Sequence, residues 1–167
     1  RVAIDLETCD PELVKHGPGW PAKRGKVIGI AMATASFKAY YPIAHDGGGN
    51  MDEKKIVEYI KSICENDSIE KIFHNAQYDI GWLWTLGIDV KGRIHDTMVA
   101  AALIDENRYS YTLNSIVHEY LGEFKNEQKL KEAAEAFGVD PKSEMYKLPA
   151  MFVGEYAEAD ADLTYKL

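Results

Sequence analysis

Val2-Ala-Ile-Asp-Leu-Glu7 alternates apolar residues with polar or small ones, the period-two signature of a β-strand. Val2, Ile4 and Leu6 then share one face, and Ala3, Asp5 and Glu7 share the other. That alternation restricts what the chain can become. The aliphatic face has to be covered by further elements. The opposite face carries two carboxylates about 6–7 Å apart along the backbone. Such a pair must stay wet or meet a cation, because acids buried together repel and lose hydration.

The remaining pattern is that of an α/β protein. Asp10–Gly25 is rich in Pro and Gly and reads as a loop. Val27–Ala35 and Phe37–Ile43 read as a strand hairpin, followed by the loop His45-Asp-Gly-Gly-Gly-Asn50. Asn50 and Glu53 have capping-box spacing, so a helix is expected from there to about Glu65, burying Ile56, Tyr59, Ile60 and Ile63. Lys71–His74 reads as a short strand. Asn75 is expected to cap the next helix, with Ile80, Leu83 and Trp84 on its core face and Gly87 at its end. A brief strand near Arg93–His95 leads to a helix beginning at Asp96 and carrying Met98, Ala101, Ala102 and Leu103. Beyond it the pattern is helical: Leu113–Leu121, about Glu127–Phe137, and a last helix from near Pro149. Strands with interspersed helices and then a helical tail indicate a mixed sheet flanked by helices.

No repeat, low-complexity tract or flexible linker divides residues 1–167, so one domain is expected. The chain enters a strand at Arg1 without an initiator Met, and its last helix has not ended at Leu167. Both ends suggest a domain excised from a longer polypeptide. Cys9 and Cys64 are the only cysteines, which excludes a disulfide scaffold and a Cys-x-x-C centre. There is neither a run of about 18 apolar residues to cross a membrane nor a signal-peptide pattern. A reducing, cytoplasmic compartment is the expectation. The net charge of −8 argues weakly against nucleic acid, since two bound divalent cations would halve it.

Two further acidic segments join Asp5 and Glu7. Asp79, in His74-Asn-Ala-Gln-Tyr-Asp79, lies in the first turn of a helix after an apolar strand, where open α/β sheets bind ligands. A first-turn acid also has a bland explanation, the helix dipole. In Tyr156-Ala-Glu-Ala-Asp160-Ala-Asp162, Tyr156 and Asp160 share a helical face, while Glu158 and Asp162 point elsewhere. Alone, this segment reads equally well as a solvated acidic helix.

Together the three segments, Asp-x-Glu, Asn-x-x-x-Asp and Tyr-x-x-x-Asp, resemble in order and spacing the tyrosine subclass of the DEDD 3′–5′ exonucleases. More closely, the chain resembles the proofreading exonuclease domain of family A (DNA polymerase I-like) DNA polymerases of the bacteriophage type. Asp5-Leu-Glu-Thr-Cys-Asp-Pro11, Gly17-Pro-Gly-Trp20, Tyr41-Pro-Ile-Ala-His-Asp-Gly-Gly-Gly-Asn50, His95-Asp-Thr-Met98 and Tyr120-Leu-Gly122 carry that resemblance over essentially the whole chain. Glu155 occupies the position five before Asp160, which argues against the histidine subclass.

The resemblance implies a ribonuclease H-like fold and a metal-dependent 3′–5′ exonuclease that removes 5′-mononucleotides from DNA. It further implies two divalent ions, Mg²⁺ or Mn²⁺, with Asp5 bridging them, Glu7 and Asp160 completing one site and Asp79 holding the other. Tyr156, with Glu7, would orient the attacking water. Thr8, Asn75 and Tyr78 would contact the substrate, a single-stranded or frayed DNA 3′ end. A polymerase domain in the same parent chain would be the partner, in the host cytoplasm if phage-encoded. A purely oxygen donor set agrees with such hard cations. Where relatives place a base-wedging leucine, the count falls on Pro11. An RNase D-type RNA exonuclease and a catalytically dead nucleic-acid-binding or scaffold domain are the alternative readings.

Other residues carry ordinary expectations. His74 is expected to be structural, His45 to make turn contacts and Asp96 to cap its helix. Trp20 packs on the sheet or stacks on a base. The Lys23, Arg24 and Lys26 cluster meets phosphate or is simply solvated. The triple-glycine loop lacks the Gly-Lys-Ser/Thr of a P-loop.

Overall fold

The computed structural model describes residues 1–167. Five strands form one sheet: β1 (Val2–Cys9), β2 (Lys26–Ala33), β3 (Lys38–Pro42), β4 (Lys71–Phe73) and β5 (Ile94–Asp96). The helices are α1 (Leu13–His16), α2 (Glu53–Cys64), α3 (Ala76–Thr85), α4 (Thr97–Ile104), α5 (Leu113–Leu121), α6 (Gln128–Phe137) and α7 (Gly154–Lys166). Strand order is β3-β2-β1-β4-β5. β1–β2–β3 pair antiparallel, whereas β4 and β5 are parallel to β1 and reached through helical crossovers. β1 is therefore central, and its end is the place where the sheet changes sense.

The two faces of the sheet are packed differently, and this difference builds the site. On one face Val2, Ile4 and Leu6 join Ile30, Met32, Ile56, Ile60, Phe73, Trp82 and Leu83 in the main core. On the other, Ala3, Ala31 and Ala33 meet Ala157 and Ala161 of α7. Methyl-sized side chains on both surfaces let the helix lie close against the strands. Tyr156 and Asp160 are carried in beside Asp5 and Glu7 as a result.

A second device steers the end of β1. Glu7 pairs with Gly29 but Thr8 pairs with Val27, so the register slips by one residue and Ile28 is left extra. Such bulges bend the strand and re-aim side chains. Ile28 turns into a third cluster with Leu130, Ala134, Leu148 and Val153, which anchors α6 and the lead-in to α7. The triple-glycine loop braces the same lead-in. Asp46 N–H donates to the Tyr146 carbonyl (2.8 Å), Ala150 N–H donates to the Gly48 carbonyl (3.0 Å), and a Cβ on Gly47 would lie 2.3 Å from the Pro149 nitrogen. Buried His45 donates from Nδ1 to the Leu148 carbonyl (3.0 Å), which leaves Nε2 to accept from the Tyr40 hydroxyl (2.6 Å).

Several local expectations change. The Asp10–Gly25 loop holds α1 and a 3-10 turn at Trp20–Ala22. Asp52 rather than Asn50 caps α2, accepting from Lys55 N–H (3.0 Å), while the Asn50 amide pairs with both backbone groups of His45. Tyr59 of the expected buried stripe is exposed. In α3 the buried tryptophan is Trp82. Trp84 is 54% exposed and meets Trp20 edge-on, at 5.7 Å between ring centroids. Trp20 lies over Gly81, where a Cβ would come within 2.3 Å of the indole. Leu103 of α4 is exposed. Pro149 precedes a 3-10 turn, Ala150–Phe152, and α7 starts only at Gly154.

Asn75 sits at the N-cap of α3 in the left-handed region (φ 73°) and its side chain makes no cap bond. Asp96 replaces it, accepting from the N–H groups of Asn75 (3.1 Å) and Ala76 (2.8 Å) as well as from Met98 and Val99 at the start of α4. One carboxylate thus caps two helices and ties them together.

Candidate active site

Asp5 and Glu7 reach the pocket from β1, and Asp160 reaches it from α7. Their carboxylate oxygens lie within 4.8 Å of one another. Asp79 enters from the first turn of α3 and is 4% exposed. It stands beside this trio rather than inside it, and Asp5 is the charge it feels most strongly. The stripe of α3 that buries Ala76 and Leu83 also buries Asp79, which explains why a purely apolar reading of that helix put its core face in the wrong place.

Crowding dominates the electrostatics. Burial, then the Asp160 charge, push the Asp5 carboxyl up to about 7. Glu7 is raised well above its ordinary range by burial, then by Asp5 and Asp160. Asp79 is raised by burial and Asp5, with the Leu6 N–H opposing. The Asp160 carboxyl is raised by burial and pulled back by Lys125. The Tyr156 phenol is pushed far up by burial and by the carboxylates, so in the chelated protein it remains a protonated hydrogen-bonding group.

Lys125 is the member that no sequence pattern signalled. It lies between α5 and α6 in Gly122-Glu-Phe-Lys-Asn-Glu-Gln128, which reads as an ordinary solvated connection. In the fold its side chain is 7% exposed. Its Nζ donates to Asp160 Oδ2 at 2.6 Å and stands 2.5 Å from Oδ1, an ion-pair contact without hydrogen-bond geometry. The same ammonium lies 4.1 Å from the centroid of the Tyr156 ring. Charge balance was the one available hint, since several buried acids need a cation.

The pocket fits a divalent ion on two observations. Its donors are all oxygen, the chemistry of Mg²⁺ and Mn²⁺ sites. Burial and mutual repulsion raise Asp5 and Glu7, a crowding that a bound cation relieves.

Thr8, Tyr78 and Asp10 form a relay along the rim. The Tyr78 hydroxyl donates to Asp10 Oδ2 (3.1 Å), and Thr8 Oγ1 lies 2.8 Å from that hydroxyl. Tyr78 has one proton and gives it to Asp10, so the Thr8 hydroxyl donates to Tyr78. Gly19 N–H also donates to Asp10 Oδ2 (3.0 Å), which fastens the Trp20 loop to the end of β1. His74 lies outside the acidic trio: Nε2 donates to the Tyr111 carbonyl (3.0 Å), Nδ1 contacts Thr97 Oγ1 (2.8 Å), and burial lowers its pKa. Glu158 accepts from Tyr40 N–H (3.2 Å), and Asp162 pairs with Lys38 and Lys166. Arg24 pairs with Glu12 and Lys26 with Asp46, so two of the three basic residues after Trp20 are neutralised locally.

The sign of the crowding is measurable. Asp5 titrates at about 7 in the fold against 3.8 as its ordinary value, so the folded state holds a proton that the unfolded state releases between those limits. The Asp5 carboxyl therefore costs stability as pH rises through that window. In chelator, the melting temperature of Asp5→Asn minus that of wild type should widen from pH 4 to about 7, and Glu7 and Asp79, which lose the Asp5 charge in the variant, extend the widening upward. Each pH unit is worth up to about 1.4 kcal/mol, or roughly 3–5 °C. His45 and His74 titrate equally in both proteins and cancel. A pH-independent difference would refute the crowding.

Comparison with known proteins identifies relatives of the whole chain. A family model described as 3′–5′ exonuclease, for family A DNA polymerases, matches residues 1–167. The DNA-directed DNA polymerase of Pseudomonas phage M6 is 37% identical over 98% of this chain, which spans 25% of that relative's length. Among solved structures, Trypanosoma brucei RNase D in complex with RNA U12 superposes with a TM-score of 0.69 at 19% identity, covering 98% of this chain and 52% of the other. Brucella melitensis NrnC with bound Mg²⁺ gives 0.62 at 17% identity, covering 99% and 68%. At these identities the structural likeness speaks for the shared ribonuclease H-like fold.

Proposed function

The chain belongs to the 3′–5′ exonuclease family of family A DNA polymerases, and on that premise we propose that it removes 5′-mononucleotides from DNA 3′ ends as the proofreading domain of a longer polymerase. The observation that carries this reading is the convergence of Asp5, Glu7 and Asp160 oxygens within 4.8 Å in an all-oxygen pocket beside Tyr156. The phage polymerase relative, of which the chain spans a quarter, supports DNA as substrate, a polymerase domain as partner in the parent chain and the host cytoplasm as the place of action. No helix is long and apolar enough to cross a membrane.

Asp5, Glu7 and Asp160 would hold one divalent ion, and Asp5 with Asp79 beside it would hold the second. Two divalent ions bound there would supply Lewis-acid activation of water and charge neutralisation at the leaving oxygen. Glu7 and the Tyr156 hydroxyl orient the attacking water opposite the scissile P–O3′ bond. The water oxygen bonds to phosphorus and gives up a proton to solvent, the P–O3′ bond breaks, the terminal residue leaves as a 5′-mononucleotide, and O3′ takes a proton from solvent so that the shortened strand ends in a 3′ hydroxyl. Tyr156 acts as a positioning donor; in the metal-free pocket burial, and then the surrounding carboxylates, hold its proton on. Thr8, Asn75 and Tyr78 line the path of the terminal nucleotides, with the Thr8–Tyr78–Asp10 relay holding that rim rigid.

Labelled single-stranded DNA and RNA of one sequence, incubated with Mg²⁺ or with EDTA, test the reading. Stepwise release of 5′-mononucleotides from DNA is expected, with RNA slower and EDTA reducing both to background. Degradation of RNA alone would replace it with an RNase D-like function. Inertness toward both in Mg²⁺ and Mn²⁺ would leave a binding or scaffold domain.

A further inference from the structure

Lys125 lies inside the acidic pocket without belonging to the four acids and tyrosine assigned above. Three observations converge on it. Its ammonium engages both oxygens of Asp160, at 2.5 and 2.6 Å. The pair is enclosed, with side chains 7% and 9% exposed. The cation also sits 4.1 Å over the Tyr156 ring, so one residue touches both α7 members of the site. In the other lysine ion pairs of this chain the lysine side chain is 41–63% exposed. A lysine is unusual in such a place because burial strips its hydration, which close acceptors have to replace.

From this arrangement we propose that Lys125 is a positioning residue: a tethered cation that holds Asp160 and Tyr156 in register and competes with divalent ions for the Asp160 carboxylate. The inference rests on the reading of Asp5, Glu7 and Asp160 as metal ligands. An ion bound by those oxygens and an ammonium on the same carboxylate repel each other at short range in an enclosed site. Lys125 must therefore swing off Asp160 as an ion enters. The segment that carries it, between Leu121 and Gln128, has no regular secondary structure to hold it in place. A site held by a competitor about nine-tenths of the time shows about a tenfold weaker apparent affinity. The device keeps the acids ordered at the expense of metal affinity.

Mn²⁺ titration followed by the EPR signal of the free ion tests this directly, since it needs neither DNA nor turnover. Lys125→Met should bind Mn²⁺ about tenfold more tightly than wild type, because the competitor is gone. In chelator the same variant should melt lower than wild type, and its gain in melting temperature at saturating Mn²⁺ should be larger. Lys125→Arg keeps the charge and should bind Mn²⁺ no more tightly than wild type. A lysine that merely supported the fold would move affinity the other way, so weaker or unchanged binding by Lys125→Met overturns the proposal. Should that variant not fold, Lys125→Gln gives the same comparison, and tighter binding by Lys125→Arg overturns the proposal independently. Asp5→Ala separates the two readings. If wild type binds no Mn²⁺, or Asp5→Ala binds it equally well, the metal reading fails and this inference fails with it. If wild type binds and Asp5→Ala does not, only the Lys125 comparison is at stake.

Discussion

Asp5→Ala is expected to bring release of mononucleotides from DNA 3′ ends down to background and to erase the thermal stabilisation that Mg²⁺ or Mn²⁺ gives the wild-type protein. Asp5 stands on the central strand, grouped with the other two acids of the trio, and is the charge that Asp79 feels most, so its loss would disturb both proposed ion sites. A ligand at about a hundred times its Kd stabilises by about 2.7 kcal/mol. For a chain of this size that corresponds to roughly 5–10 °C. The substitution should not unfold the protein. The Asp5 backbone pairs with Ala31, alanines already flank the site on that face, and removing a crowded acid relieves repulsion. The expected combination is thus specific: no activity, no metal-dependent shift, and metal-free stability equal to or above that of wild type. An Asp5→Ala protein that still gains several degrees from Mg²⁺ would contradict the assignment.

Tyr156→Phe should slow hydrolysis by roughly 10²-fold or less, the loss for one positioned group. The ring is what Lys125 and the third apolar cluster contact, and phenylalanine keeps it, so folding and metal-induced stabilisation should survive. Asp160→Ala should cost far more, since it removes a ligand of one ion site rather than a single hydrogen bond, and leaves Lys125 without its carboxylate. Initial rates on a 3′-ended single strand at saturating Mg²⁺ should rank wild type, Tyr156→Phe, then Asp160→Ala at background. His74→Ala is the control. His74 is hydrogen-bonded to Thr97 and the Tyr111 carbonyl, and burial favours its neutral form. The folded variant should retain most of the activity. If it is instead as inactive as Asp160→Ala, a histidine acts where only carboxylates, a tyrosine and an activated water have been placed.

Much of the fold and part of the site could be read directly because they depend on local periodicity. The alternation in β1 puts Ile4 and Leu6 into the core and Asp5 and Glu7 on the other face, whatever packs above them. The hairpin of β2 and β3 and the helix Leu113–Leu121 follow from turn residues and apolar spacing in the same way. Tyr156 and Asp160 share a face because they are one helical turn apart.

Contacts between distant segments obey no such period. Asp96 caps α3 in place of Asn75, and Asp52 caps α2 in place of Asn50, because an N-terminal N–H donates to any oxygen that the fold delivers. Trp82 is buried and Trp84 exposed because α3 turns Asp79 inward, which rotates the stripe away from an apolar optimum. Lys125 reaches Asp160 across 35 residues, from a connection whose composition resembles solvent-facing loop. The identities of the four acids and the tyrosine, and the faces they occupy, were determined by the sequence alone, since side-chain direction in a strand or helix is a local property. Which charge each acid meets, and so whether it is repelled, paired or left to bind a cation, was decided only by the tertiary structure, since Coulomb energy depends on distance through space and on burial rather than on position along the chain.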